Sequence, residues 1–123
     1  MGLPAERRLR RGADITAVVR GGSRARSGGL VVHALHREDD TPARGPRVAF
    51  IAPRTVGNAV VRNRTRRRLQ SHVHDLNRAG ALGAEVDLVL RLLPAGAGSD
   101  HDALGVQLRR GLQRLGVLTG EHP

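Results

Sequence analysis

Apolar positions along this chain recur in two different periods, and the change of period marks the elements. A helix starts near Gly12, where Ile15, Val18 and Val19 fall at i, i+3 and i+4. Asp14 sits in its first turn, where the helix dipole favours an anion, and Gly21-Gly22 supplies the stop. Ser23 to Gly29 reads as a polar loop. Leu30 to His36 and Arg47 to Ala52 are short Val-rich runs with strand character, joined by a turn from Glu38 to Gly45 that holds Asp39, Asp40 and Pro42. Their closeness in sequence predicts an antiparallel hairpin. Pro53 ends the second run, and a helix follows from Asn58 to about Leu76. At about 100° per residue, Val61, Thr65, Leu69, Val73 and Leu76 share a stripe about 120° wide, while Asn63, Arg64, Arg67 and Arg68 point away from its centre. Val86 to Leu93 is apolar on both faces and reads as the most buried strand. Ser99 and Asp102 have capping-box spacing, with Asp in place of the usual Glu or Gln, and Leu104, Leu108, Leu112 and Leu115 then line one helical face. The expected fold class is α+β, a single-domain α-β-β-α-β-α sandwich with helices packed on a small central sheet of three strands or slightly more.

Composition narrows the function. With 123 residues the chain forms one domain, 1–123, with a basic arm over 1–11 and a flexible tail over 119–123. It has no cysteine, which suits a cytoplasmic setting and excludes disulfides, a thiolate nucleophile and Cys-ligated zinc. No stretch is apolar enough to span a bilayer, and no apolar run follows the N-terminal charges. Phe50 is the sole aromatic residue, so the ring platform on which many RNA modules stack bases is missing. The formal charge is +10, and all 21 basic residues are arginine. Such a field draws polyanions, and the planar guanidinium fork matches phosphate oxygens, although a GC-rich coding bias accounts for the same residue usage. Between Thr41 and His74 there is no acid and there are eight arginines. A merely solvated face mixes signs and supports itself with i, i+4 ion pairs; this one does neither.

The run Thr55-Val-Gly-Asn-Ala-Val-Val-Arg-Asn-Arg-Thr-Arg-Arg-Arg-Leu69 resembles the signature of the bacterial ribonuclease P protein component. The matching core is Gly57-Asn58-Ala59-Val60, then Arg62-Asn63-Arg64, then Arg66-Arg67. Arg8-Leu9-Arg10-Arg11 before the first helix and the Arg47-Val48 strand extend the likeness over most of the chain. The resemblance implies a sandwich with a left-handed βαβ crossover and a partnership with ribonuclease P RNA, which performs a magnesium-dependent removal of the 5′ leader from precursor tRNA. The candidate contacts to that catalytic RNA are Asn58, Arg62, Asn63, Arg64, Arg66, Arg67 and Arg68, of which Arg64, Arg67 and Arg68 project from the polar side of the helix as phosphate contacts and Arg66 is an intermediate case at the stripe's edge. It sets Ile15, Val19, Leu30, Val32, His33, Val48, Phe50 and Arg54 along a leader-binding cleft. The family carries rings at several of those cleft positions, where this chain has Ile15, Val19, Leu30 and His33, so stacking on bases is weaker here.

The residues leave some roles open. Asn58 is a plain N-cap or an RNA contact, and Arg62, at the edge of the apolar stripe, lines a cleft or snorkels past Leu69. The six histidines have no metal-ligand spacing: His72 and His74 point in different directions from one helix, and His33 and His36 lie on opposite faces of a strand. No catalytic centre and no metal site is expected in the protein alone, with Mg2+ entering through the RNA. The expected partners are ribonuclease P RNA and the precursor-tRNA leader, with one protein per RNA, a monomer when free, and no membrane. A non-enzymatic RNA-binding or ribosomal protein is the alternative for the same size and charge.

Overall fold

The computed structural model describes residues 8–9, 11–37, 45–83 and 85–119. In chain order they form α1 (Gly12–Gly21), β1 (Ser23–Ser27), β2 (Leu30–His36), β3 (Arg47–Ile51), α2 (Ala59–Arg78), β4 (Val86–Leu92) and α3 (His101–Arg114). The four strands make one sheet in the order β1-β2-β4-β3, antiparallel except where β3 pairs with β4.

Two expectations change. The hairpin between Leu30–His36 and Arg47–Ile51 does not form, because β4 lies between them, antiparallel to β2 and parallel to β3. The physical reason is β4 itself: all of it but Arg91 is buried, with Leu88, Leu90 and Leu92 on one face and Val89 and the ion-paired Asp87 on the other, and a strand so enclosed needs neighbours on both edges. Ser23 to Ser27 is an edge strand and not a loop, with Ala25 and Ser27 turned inward and Arg24 and Arg26 outward. Its polar composition hides a period of two.

The sheet separates two cores. Leu30 and Val32 of β2, Val48 of β3, and Leu88, Leu90 and Leu92 of β4 pack beneath Leu69 and Val73 of α2 and Leu104, Leu108 and Leu112 of α3. On the opposite face α1 stands alone, and a smaller cluster of Val18, Leu9, Ala49 and Val89, flanked by Ile15, Leu35 and Ile51, lies under it. At one end of that face the buried Asp87 carboxylate accepts hydrogen bonds from Arg37 Nη1 at 2.8 Å and from Arg47 Nε and Nη2 at 2.9 and 2.7 Å. Arg37 Nη2 donates in turn to the Gly45 carbonyl at 2.9 Å. One carboxylate thus joins the ends of β2 and β3 across β4.

The ends of the elements follow local chemistry. Asn58 caps α2 by accepting the Val61 amide at 3.0 Å. For α3 the cap is Asp100, which accepts the Ala103 amide at 2.8 Å, and not Ser99, which leaves Asp102 as the anion of the first turn. The end of the expected basic arm is docked: the Leu9 amide donates to Val48 at 3.0 Å and its side chain is buried, while residues 1–7 and 10 lie outside the described residues. At the other terminus Thr119 donates to Ala81 and Gly80, and the rest of the expected tail, 120–123, lies outside the described residues. Gly29 and Gly96 meet backbone to backbone; a Cβ on Gly29 would stand 2.2 Å from the Gly96 nitrogen, so no larger residue fits there.

Candidate nucleic-acid interface

Helix α2 turns its stripe of Thr65, Leu69, Val73 and Leu76 into the core, and residues beside that stripe line two hollows. The first, about 480 Å³, is lined by Val60, Asn63, Arg64, Arg67, Arg68 and Ser71, with His101 of α3 closing one side. Arg64 and Arg67 are exposed. Arg68 is half-buried, and its Nη1 donates to the Ser99 carbonyl at 2.6 Å, so this arginine also fastens α2 to the start of α3. His101 stacks on His72 with ring centroids 3.9 Å apart, and His72 Nε2 donates to the His101 carbonyl at 2.6 Å. Ser71 is legible in the sequence as the next i, i+4 step after Asn63 and Arg67. His101 is not, since it arrives from a helix distant along the chain.

The second hollow, about 440 Å³, wraps the outer edge of β3, where Arg8 and Leu9 pair with Val48, and is lined by Arg8, Leu9, Ile15, the strand residues Val48, Ala49, Phe50 and Ile51, and by Arg66, Arg67 and Gln70 of α2. Arg67 therefore borders both hollows. Arg66 Nη2 donates to Asn63 Oδ1 at 2.5 Å, which holds both side chains in place. Arg62 is half-buried, and its Nε is buried with no hydrogen-bond partner among the described residues. Asn58 is an N-cap by geometry, with an exposed side chain at the helix start.

The residues expected to form one cleft do not share a surface. Ile15, Val48 and Phe50 line the second hollow. Leu30 and Val32 have no exposure and face the α2–α3 core, so neither side chain can touch a ligand; a strand's alternation puts them opposite the α1 side. Val19 is exposed on α1 but outside the lining of the hollow, and Arg54 is exposed in a 3-10 turn, Arg54–Val56, just before α2. His33 lies on the α1 side, only 2% exposed, opposite Arg24 across the β1–β2 ladder.

Both ring nitrogens of His33 lack a hydrogen-bond partner among the described residues. Burial pushes its pKa below the ordinary 6.5, and the positive charges of Arg91 and Arg24 push it the same way. The folded protein therefore keeps His33 neutral where the unfolded chain protonates it. Stability from this group is complete above 6.5 and declines as pH falls through that value towards the folded pKa. Thermal melts between neutral and mildly acid pH should show the wild type losing more melting temperature than His33→Leu, and parallel losses would mean that His33 contributes nothing to the pH dependence.

Among the described residues no three His, Cys, Asp or Glu side chains converge. The arrangement offers guanidinium groups, helix-terminal amides and small polar side chains, a chemistry suited to binding phosphate.

A family model described as Ribonuclease P matches residues 3–116. The ribonuclease P protein component of Rhodococcus erythropolis is 40% identical to this chain over 120 residues, covering 94% of each. That of Streptomyces bikiniensis is 42% identical over 118 residues, covering 92% of this chain and 94% of its own. Among solved structures, the Staphylococcus aureus RNase P protein covers 92% of this chain and 98% of its own with a TM-score of 0.78 at 18% identity. The Thermotoga maritima protein, solved with 1-(4-fluorophenyl)-2-thiourea, gives 0.71 over 88% and 96% at 20% identity. At those identities the structural likeness is one of fold.

Proposed function

This chain belongs to the ribonuclease P protein family, and we propose that it divides the family's work in tRNA 5′ maturation between its two hollows. As the protein component of ribonuclease P it is the partner of an RNA subunit. The α2 face, with Arg64, Arg67 and Arg68 beside Asn63, Ser71 and His101, binds the backbone of that RNA. The hollow around the β3 edge, from Ile15 through Phe50 and Ile51 to Arg66, receives the single-stranded leader of precursor tRNA. Arg67, which borders both, sits where substrate and catalytic RNA come together.

The observation that carries this reading is the exposure of Arg64 and Arg67 on an acid-free helical face that borders both hollows. The protein contributes no reacting group. Its guanidinium groups neutralise phosphates that would otherwise repel one another, and each contact releases condensed counterions, so the complex needs less magnesium to assemble. Magnesium itself enters through the RNA. In this reading one protein serves one RNA, the free protein is monomeric, and its work is cytoplasmic; no helix among the described residues is long and apolar enough to cross a membrane.

The test is reconstitution. Added to its cognate ribonuclease P RNA at low magnesium, the protein should accelerate leader removal from precursor tRNA well beyond the rate of RNA alone. Absence of stimulation, with RNA binding intact, would leave only a non-enzymatic RNA-binding protein.

A further inference from the structure

The α1 side of the sheet is only partly covered, and what lies beyond α1 is a row of arginines. Strand pairing sets Ile51, Arg91, Val31 and Arg26 side by side across β3, β4, β2 and β1, with His33 and Arg24 in the adjoining row. Arg24, Arg26, Val31, Arg91 and Leu93 line a hollow of about 290 Å³. Arg26 is steadied from behind, since its carbonyl accepts Arg114 Nη1 at 2.6 Å and its own Nε reaches the Gly28 carbonyl at 3.3 Å. Arg91 Nε is buried without a hydrogen-bond partner among the described residues.

No acidic side chain among the described residues pairs with any of these three arginines. Asp87, the acid of β4 on this face, is already bonded to Arg37 and Arg47 and lies four residues from Arg91 along the strand, about 13 Å away. Three uncompensated guanidinium groups around one hollow create a local demand for anions. The depression of the His33 pKa, caused after burial by Arg91 and Arg24, reports the same positive potential.

The row is also continuous with the β3-edge hollow. Ile51 lines that hollow and is the direct neighbour of Arg91 on the next strand. From Ile51 to Arg26 the distance is three strand spacings, about 14 Å, which an extended single strand crosses within a few nucleotides. The floor between the charges is Val31 and Leu93, and no ring offers a stacking surface. Charge without rings holds a backbone and is indifferent to its bases.

We propose that Arg24, Arg26 and Arg91 form a second, phosphate-reading seat on the α1 side of the sheet, which holds the part of a single-stranded RNA leader distal to the cleavage site. This rests on the reading of the β3-edge hollow as the leader site and extends it across the sheet to residues outside the arginine-rich signature. Leader recognition in this protein is then strongly salt-dependent and tolerant of leader sequence.

The experiment uses the reconstituted holoenzyme and compares precursor tRNA carrying a long leader with mature tRNA. Arg24 and Arg26 are exposed, so Arg24→Gln with Arg26→Gln leaves the core intact; Arg91→Lys serves as a conservative second variant. The double variant should lose on the order of tenfold in affinity for the long-leader substrate at low salt, and the salt slope should shrink by about 1.4, for two single-strand phosphates. Affinity for mature tRNA and for the catalytic RNA should not move, and leaders of different base composition should lose equally. A double variant that keeps the full gain from the leader overturns this seat alone, as does an equal loss on mature tRNA. A wild-type holoenzyme that gains nothing from a long leader overturns the leader reading of the β3-edge hollow, and this seat with it.

Discussion

Replacing Arg64 and Arg67 together with alanine lowers affinity for the catalytic RNA by on the order of a hundredfold at low salt and leaves the melting temperature nearly unchanged. Both side chains are exposed on α2 and neither has an ion pair to lose among the described residues, so the folded state gives up little. In the complex each would neutralise a phosphate, and a charge-assisted contact of about 1.5 kcal/mol or more corresponds to about tenfold in the binding constant. The slope of log affinity against log salt should flatten by about 1.8 if the contacts are to duplex phosphates. Arg68→Ala should behave differently, because Arg68 also donates to the Ser99 carbonyl, and its loss should lower stability as well as binding. Salt-titrated binding beside thermal melting separates the two cases. If the Arg64 and Arg67 variant melts far below wild type while binding RNA normally, the face is structural.

Asp87→Ala should be the most destabilising single change on the α1 side, by about 3 kcal/mol, or about 10 °C in melting temperature. The carboxylate is buried and takes three hydrogen bonds from two arginines, and truncation strips that acceptor from Arg37, whose side chain is only 13% exposed. Arg47, at 35%, can turn towards water, which keeps the loss at the low end for a broken buried pair. Asp87→Asn keeps an acceptor without the charge and should fall between the two. At temperatures where the alanine variant is still folded, its affinity for the catalytic RNA should stay close to wild type, since the α2 face lies across the sheet. A melting temperature within a degree or two of wild type would mean that the network contributes nothing.

Much of the α2 surface is legible in the sequence alone. The core stripe from Thr65 to Leu76, the Asn58 cap and the arginine face follow from helical period and local capping chemistry, and all three stand in the structure. The strand pairing is not legible. Leu30–His36 and Arg47–Ile51 are neighbours in sequence, but β4, buried along nearly its whole length, takes a place between them in the sheet and separates them. The same limit explains the scattered cleft. Resemblance to a family marks positions along a strand without saying which face they occupy. It therefore groups Leu30 and Val32 with His33, although a period of two sends them to opposite sides.

By itself, then, the sequence determined the fold class, the helices, the arginine face and the family, because each rests on short-range periodicity or on a contiguous run of residues. Tertiary structure alone decided that Arg67 borders two hollows, that His101 closes one of them, that Asp87 clasps Arg37 and Arg47, and that Arg24 and Arg26 of β1 share one surface with Arg91 of β4. Those groupings depend on strand order and register, which are set by how apolar faces are buried across the whole sheet and not by any local stretch of chain.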